Sequence, residues 1–154
     1  MGEELAEVRR AGPADAEALS DLYLRARAAA AHDGSIPPPV HPEEETRGWI
    51  SGVIAERETW LGLSCAREVV GLLVLDGGWI DQLYVDPDHL GRGIGSRLLE
   101  VAKRERPDGL RLWMFVSNTG AQRFYARHGF SEVQRTDGCG NEEGAPDIQL
   151  AWRP

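Results

Sequence analysis

The chain has 154 residues, 42% of them hydrophobic and 27% charged, with a formal net charge of −8. These proportions suit one compact domain over residues 1–154 and exclude wholesale disorder, and the acidic balance excludes non-specific nucleic-acid binding, which needs a basic footprint. No apolar run reaches the roughly 18 residues of a membrane span, and the start, MGEELAEVRR, lacks the apolar region of a secretory signal.

The two cysteines, Cys65 and Cys139, and the histidines His32, His41, His89 and His128 show no metal-ligand spacing. The expectation is a cytoplasmic protein with reduced thiols, no metal, and neither nucleic acid nor membrane as partner.

In chain order, residues 6–11 (AEVRRA) read as a first strand, broken by Gly12-Pro13. Residues 14–32 carry Ala18, Leu19, Leu22, Tyr23 and Ala26 at helical spacing. A Pro-rich connection, DGSIPPPVHP, precedes a second helix over 43–57, with Trp49, Ile50, Val53 and Ile54 on one side. The period then changes. TWLGLSCA (59–66) and VVGLLVLD (69–76) form a hairpin, and Gly77-Gly78 turns the chain into a third strand, WIDQLYV (79–85).

A helix follows from Gly93 to about Arg106, then the strand LRLWMFV (110–116) and a helix NTGAQRFYARHG (118–129), with Asn118 or Thr119 as N-cap and Gly129 as its stop. SEVQR (131–135) and DIQLAWR (147–153) close the chain across the polar loop TDGCGNEEGAP. The order β-α-α-β-β-β-α-β-α-β-β predicts an α/β (α+β) fold: one mixed, mostly antiparallel sheet of about seven strands with about four helices. The strand-helix-strand unit at the glycines supplies one parallel pair.

In the strand 79–85, Leu83 and Val85 share a face but Ile80 is out of phase with them. A one-residue bulge reconciles the three and opens a slot beside the parallel neighbour. The alternative is a strand buried on both faces, where phase carries no meaning.

The turn GRGIGS (91–96) ends at a helix start, where unpaired N–H groups and the helix dipole attract anions and glycines allow close approach. It is not a P-loop, which needs GxxxxGK[ST]. Nor is it a dinucleotide fingerprint, because Ser96 and Leu98 stand where the third glycine belongs.

The stretch from Ile80 to Phe130 resembles the Gcn5-related N-acetyltransferase (GNAT) family. LYVDPDHLGRGIGSRLL is similar to its acyl-CoA motif, and NTGAQRFYARHGF to its second motif. One departure is Leu90, at a position usually Arg or Gln, which leaves any added charge to Arg92 or Arg97. The resemblance implies that acetyl-CoA, the acetyl donor, lies along Leu83, Tyr84 and Val85, with backbone groups of Leu83 and Val85 holding its pantetheine arm. Its pyrophosphate would sit on the amides of Gly91, Arg92, Gly93, Ile94, Gly95 and Ser96. Asn118 would bond the cofactor arm, and the Val85 N–H would polarise the thioester.

Tyr125 matches the tyrosine that protonates the leaving thiolate, and Asp81 is the candidate base. His89 is expected at the surface. A lysine-like amine at pKa ~10.4 costs roughly 4.6 kcal/mol to deprotonate at pH 7, an α-amine near ~7.8 only about 1 kcal/mol.

The first two helices and the last loop, with Glu142, Glu143 and Asp147, would border the acceptor pocket, and Trp49, Trp60 and Trp79 either line it or belong to the core. The implied activity is N-acetylation of a primary amine on a small molecule or protein, with a homodimer compatible. The alternative is a non-catalytic CoA-binding sensor or structural module of the same fold.

Overall fold

A computed structural model describes residues 5–154. Strand β1 (Leu5–Arg10) leads through a 3₁₀ turn to α1 (Ala16–His32) and α2 (Glu43–Glu56). The meander β2 (Glu58–Ser64), β3 (Val69–Asp76) and β4 (Trp79–Val85) follows, then α3 (Ile94–Glu105), β5 (Leu110–Phe115), α4 (Thr119–Arg127), β6 (Ser131–Thr136) and β7 (Asp147–Trp152). The seven strands form one sheet in the order β1-β2-β3-β4-β5-β7-β6. Every neighbouring pair is antiparallel except β4 and β5.

The sheet separates two apolar layers. On one face Leu19, Leu22 and Tyr23 of α1 and Ile50, Val53 and Ile54 of α2 pack on Leu61, Leu72 and Val74. On the other, Ile94, Leu98 and Leu99 of α3 and Tyr125 of α4 pack on Leu73, Leu75 and Ile80. Burial of such side chains, each worth about 1.5–3 kcal/mol, holds the helices to the sheet. Three positions depart from the helical pattern. Ala18 is exposed and Ser20 buried, because the inward stripe of α1 runs through Ala16, Leu19, Ser20 and Tyr23; Trp49 lies 37% exposed at the edge of α2.

The phase mismatch in β4 is a bulge. Gln82 pairs with Val74 and Ile80 with Leu75, so Asp81 is the extra residue. Ile80, Leu83 and Val85 therefore all join the α3 layer, while Tyr84 joins the α1–α2 layer. The bulge coincides with a split in the sheet. β4 and β5 pair at Trp79 and Arg111, where the Arg111 N–H donates to Gly78 O at 2.9 Å, and beyond that they diverge. A slot opens between Ile80–Tyr84 and Leu112–Phe115.

Candidate active site

Three cavities meet along β4. The first, about 450 Å³, runs from Leu83, Tyr84 and Val85 past Gly91 and Gly93–Ser96 to Asn118, Phe124, Tyr125 and Arg127. The second is the slot itself, about 230 Å³, which shares Tyr84, Asn118 and Tyr125 with the first and also touches Asp81. The third, about 840 Å³, lies under α1 and α2, with Tyr23, Trp49, Gln82, Glu142 and Glu143 on its walls. Arg27 and Gln82 border both the slot and this third cavity.

The glycine turn could hold an anion. Gly91 and Gly93 have φ of 78° and 81°, the left-handed region open to glycine, and Gly93 is the residue before α3. A Cβ on either would meet nothing within 4 Å, so both faces are open to a ligand. The α3 amides and dipole converge on that space. Arg92 and Arg97, the expected sources of charge, are exposed and do not line the cavity; the arginine that does is Arg127, on α4 across the turn. Ser96 Oγ lies 3.0 Å from His128 Nε2, which ties the turn to the end of α4. Burial and the neighbouring Lys103 and Arg127 lower the His128 pKa, favouring the neutral ring.

Asp86, just after β4, fixes the start of this turn. Its carboxylate accepts from the Asp88 N–H at 2.9 Å and from Arg25 of α1 at 2.8 Å. His89 is half-buried rather than on the surface, and its Nδ1 lies 3.9 Å from the Asp86 carboxylate.

Tyr125 is 7% exposed and faces both the slot and the first cavity. Phe124 and Phe130 hold its ring edge-on, at centroid distances of 5.0 and 5.2 Å. Burial pushes its pKa well above the ordinary phenol value, so the group keeps its proton. Asn118 caps α4, its side-chain oxygen accepting from the Ala121 N–H at 3.1 Å, and it borders the slot as well. Asp81, on the bulge, accepts from Arg57 at 2.7 Å.

Of the residues expected around the acceptor, Glu142, Glu143 and Trp49 line the third cavity. Trp60 instead donates to Glu58, Trp79 borders a separate small pocket, and Asp147 bonds Thr136 and Asn141. His41, on the wall of the same cavity, bridges two of its carboxylates, with Nδ1 2.9 Å from Glu45 and Nε2 3.0 Å from Glu142. The Glu45 and Glu142 carboxylates raise its pKa above 6.5. This charged contact is therefore present below pH 6.5, down to the range where the carboxylates protonate, and is lost as pH rises through the raised value. A titration of the His41 ring by NMR should show a midpoint above 6.5, and Glu142→Gln should lower it. A midpoint unmoved by Glu142→Gln would mean the bridge does not form in solution.

Sequence reasoning missed Arg27, Arg127 and the Tyr84 side chain. Arg27 projects from an alanine-rich turn of α1, and its meeting with Tyr84 of β4 exists only in the folded chain. Among the described residues no group of three or more His, Cys, Asp or Glu side chains could hold a metal ion, and no helix is long and apolar enough to cross a membrane.

A sheet split at its parallel pair, with an open glycine turn and helix start at one end of the slot and a buried tyrosine in it, defines a class. It is an α/β protein whose two diverging strands leave room for an extended ligand with an anionic end. Within that class, the acetyltransferase (GNAT) domain model matches residues 47–132, more than half of the sequence. The chain belongs to the GNAT family.

It is 35% identical over 88 residues to the peptidyl-lysine N-acetyltransferase YjaB of Salmonella typhimurium, which covers 57% of this chain and 60% of that protein. The solution structure of apo YjaB from Escherichia coli superposes with a TM-score of 0.75 at 26% identity, over 95% of this chain and 96% of that one. PaiA N-acetyltransferase of Thermoplasma acidophilum, solved with coenzyme A, shares the fold at a TM-score of 0.71 and 18% identity, over 96% and 98% of the two chains. The chain thus spans about 60% of the length of the first of these relatives in the sequence alignment.

Proposed function

We propose that this chain is an N-acetyltransferase, a single GNAT-like domain over 1–154 that moves an acetyl group from acetyl-CoA to a primary amine by direct attack in a ternary complex. The observation that carries this reading is the meeting, in one continuous cleft, of the glycine turn, the β4–β5 slot and Tyr125. Coenzyme A has the shape such a cleft takes, and it is the ligand of PaiA, a neighbour in fold. The pyrophosphate lies on the amides of Gly91 to Ser96, with Arg127 replacing the charge that Leu90 does not supply. The pantetheine arm pairs with the backbone of Leu83, Tyr84 and Val85 as an added strand would, and reaches Asn118.

The amine nitrogen attacks the thioester carbon while the Val85 N–H stabilises the oxyanion. The C–S bond breaks, the nitrogen loses a proton, and the thiolate takes one from Tyr125. Asp81 is the base. One of its oxygens is held by Arg57, and the other can accept the proton directly or through a water. Asp81→Asn should therefore flatten the acid side of the kcat/KM profile without weakening acetyl-CoA binding. An unchanged profile would move proton removal to another group.

The acceptor enters from the third cavity and is a small molecule or a protein amine, with no role for nucleic acid or membrane. A cytoplasmic location and a homodimer are compatible with this reading. The primary test is calorimetric titration with acetyl-CoA beside NADH and ATP, followed by thiol release with a panel of amines. Selective binding and amine-dependent release support the reading. Binding without release from any amine would leave a non-catalytic CoA-binding module.

A further inference from the structure

Arg27 is more deeply buried than Arg25, Arg47, Arg57 or Arg106, and it has a looser carboxylate partner than any of them. Its side chain is 16% exposed, yet its nearest carboxylate, Glu143, lies 4.0 Å away, beyond hydrogen-bond length. Arg25, Arg47, Arg57 and Arg106, exposed by 24–50%, each hold a carboxylate oxygen at 2.7–2.9 Å. Arg27 spends one N–H on Tyr84 Oη at 3.2 Å and faces the Tyr23 ring at 5.6 Å. A guanidinium carries five N–H donors in a fork shaped for a carboxylate. The remaining donors stand where the slot that holds Tyr125 meets the large cavity under α1 and α2.

Arg27 thus presents a charged fork with donors left unspent to two cavities at once, an arrangement a carboxylate would complete. We propose that Arg27 receives the carboxylate of the acceptor, and that the acceptor is a free α-amino acid, acetylated on its amine. This deepens the N-acetyltransferase reading and rests on it. Arg27 and Glu143 present opposite charges side by side, which matches the adjacent carboxylate and ammonium of a zwitterion. Amino-acid side chains would extend toward Trp49 and the acidic rim.

The test is calorimetric titration of the coenzyme A-loaded protein with each of the standard α-amino acids and with the corresponding carboxamides, together with thiol release from acetyl-CoA on the same panel. At least one free acid should bind, and be acetylated, about 100-fold better than its amide, the range expected of a bidentate charge-assisted contact. Arg27→Gln should erase that preference and Arg27→Lys restore part of it, while acetyl-CoA titrates both variants as it does the parent, showing an intact fold. Equal or better use of the amides, or of lysine in a C-terminally amidated peptide, overturns the proposal but leaves the transferase reading standing. No binding by any member of the panel also overturns it. Arg27-dependent binding of acids with no thiol release from any amine would keep the carboxylate site and sink the transferase reading instead.

Discussion

Tyr125→Phe is expected to lower kcat by about 100-fold and to leave the acetyl-CoA affinity and the melting temperature nearly unchanged. The substitution removes one oxygen. The ring contacts with Phe124 and Phe130 survive it, so the core around α4 keeps its packing. Kinetics and stability therefore separate cleanly.

The physical chemistry limits the size of the effect from both sides. A thiol of pKa near ~8.5 is a weaker base, as its thiolate, than a phenolate of ~10, so full proton transfer from an ordinary tyrosine is uphill by roughly 2 kcal/mol. Burial raises the Tyr125 pKa further and makes complete transfer harder. The same dry slot raises the basicity of the departing thiolate, because a desolvated anion seeks a proton. What Tyr125 then offers is a hydrogen bond that strengthens as charge builds on sulfur and along which the proton passes, so it stabilises the transition state more than the ground state. That predicts loss in kcat with little change in KM. A variant with unchanged kcat would reduce Tyr125 to a packing residue and pass the proton to Tyr84, the other phenol in the slot, or to water.

Local signals were legible in the sequence and long-range ones were not. The β4 bulge shows as a phase error among Ile80, Leu83 and Val85, because strand periodicity is two and one extra residue must flip the face. The glycine turn shows for the same reason: left-handed backbone at Gly91 and Gly93 demands a residue type that can be read directly. Ala18 misled because a small side chain follows the helical period without enough apolar area to bury its position. The placement of β7 between β5 and β6 leaves β6 an exposed edge, and nothing in its residues announces that neighbour. Arg27 was silent because its partners, Tyr84 and Glu143, lie 57 and 116 positions away along the chain (84 − 27 and 143 − 27). A side chain acquires such a role only through the packing of α1 on the sheet.

The turn itself yields the second large effect. Gly93→Val should weaken acetyl-CoA binding by on the order of 100-fold or more, about 2.7 kcal/mol. Two costs are mixed in this variant and must be told apart. The first is backbone strain: φ is 81° at Gly93, and a left-handed conformation costs a residue with a Cβ roughly 1–2 kcal/mol, a fall in melting temperature of about 2–8 °C for a chain of this size. The second is occupation of ligand space, since the added Cβ meets no protein atom within 4 Å and points where an anion would approach.

Gly77 supplies the control. It sits in the β3–β4 turn at φ 57°, with equally open surroundings and no part in the cleft, so Gly77→Val carries the strain without the blockade. Matched drops in melting temperature, with affinity lost only in Gly93→Val, would tie the pyrophosphate to this turn. Equal affinities in the two variants would mean that the ligand is held elsewhere along β4, and that the alternating glycines serve only to turn the chain into α3.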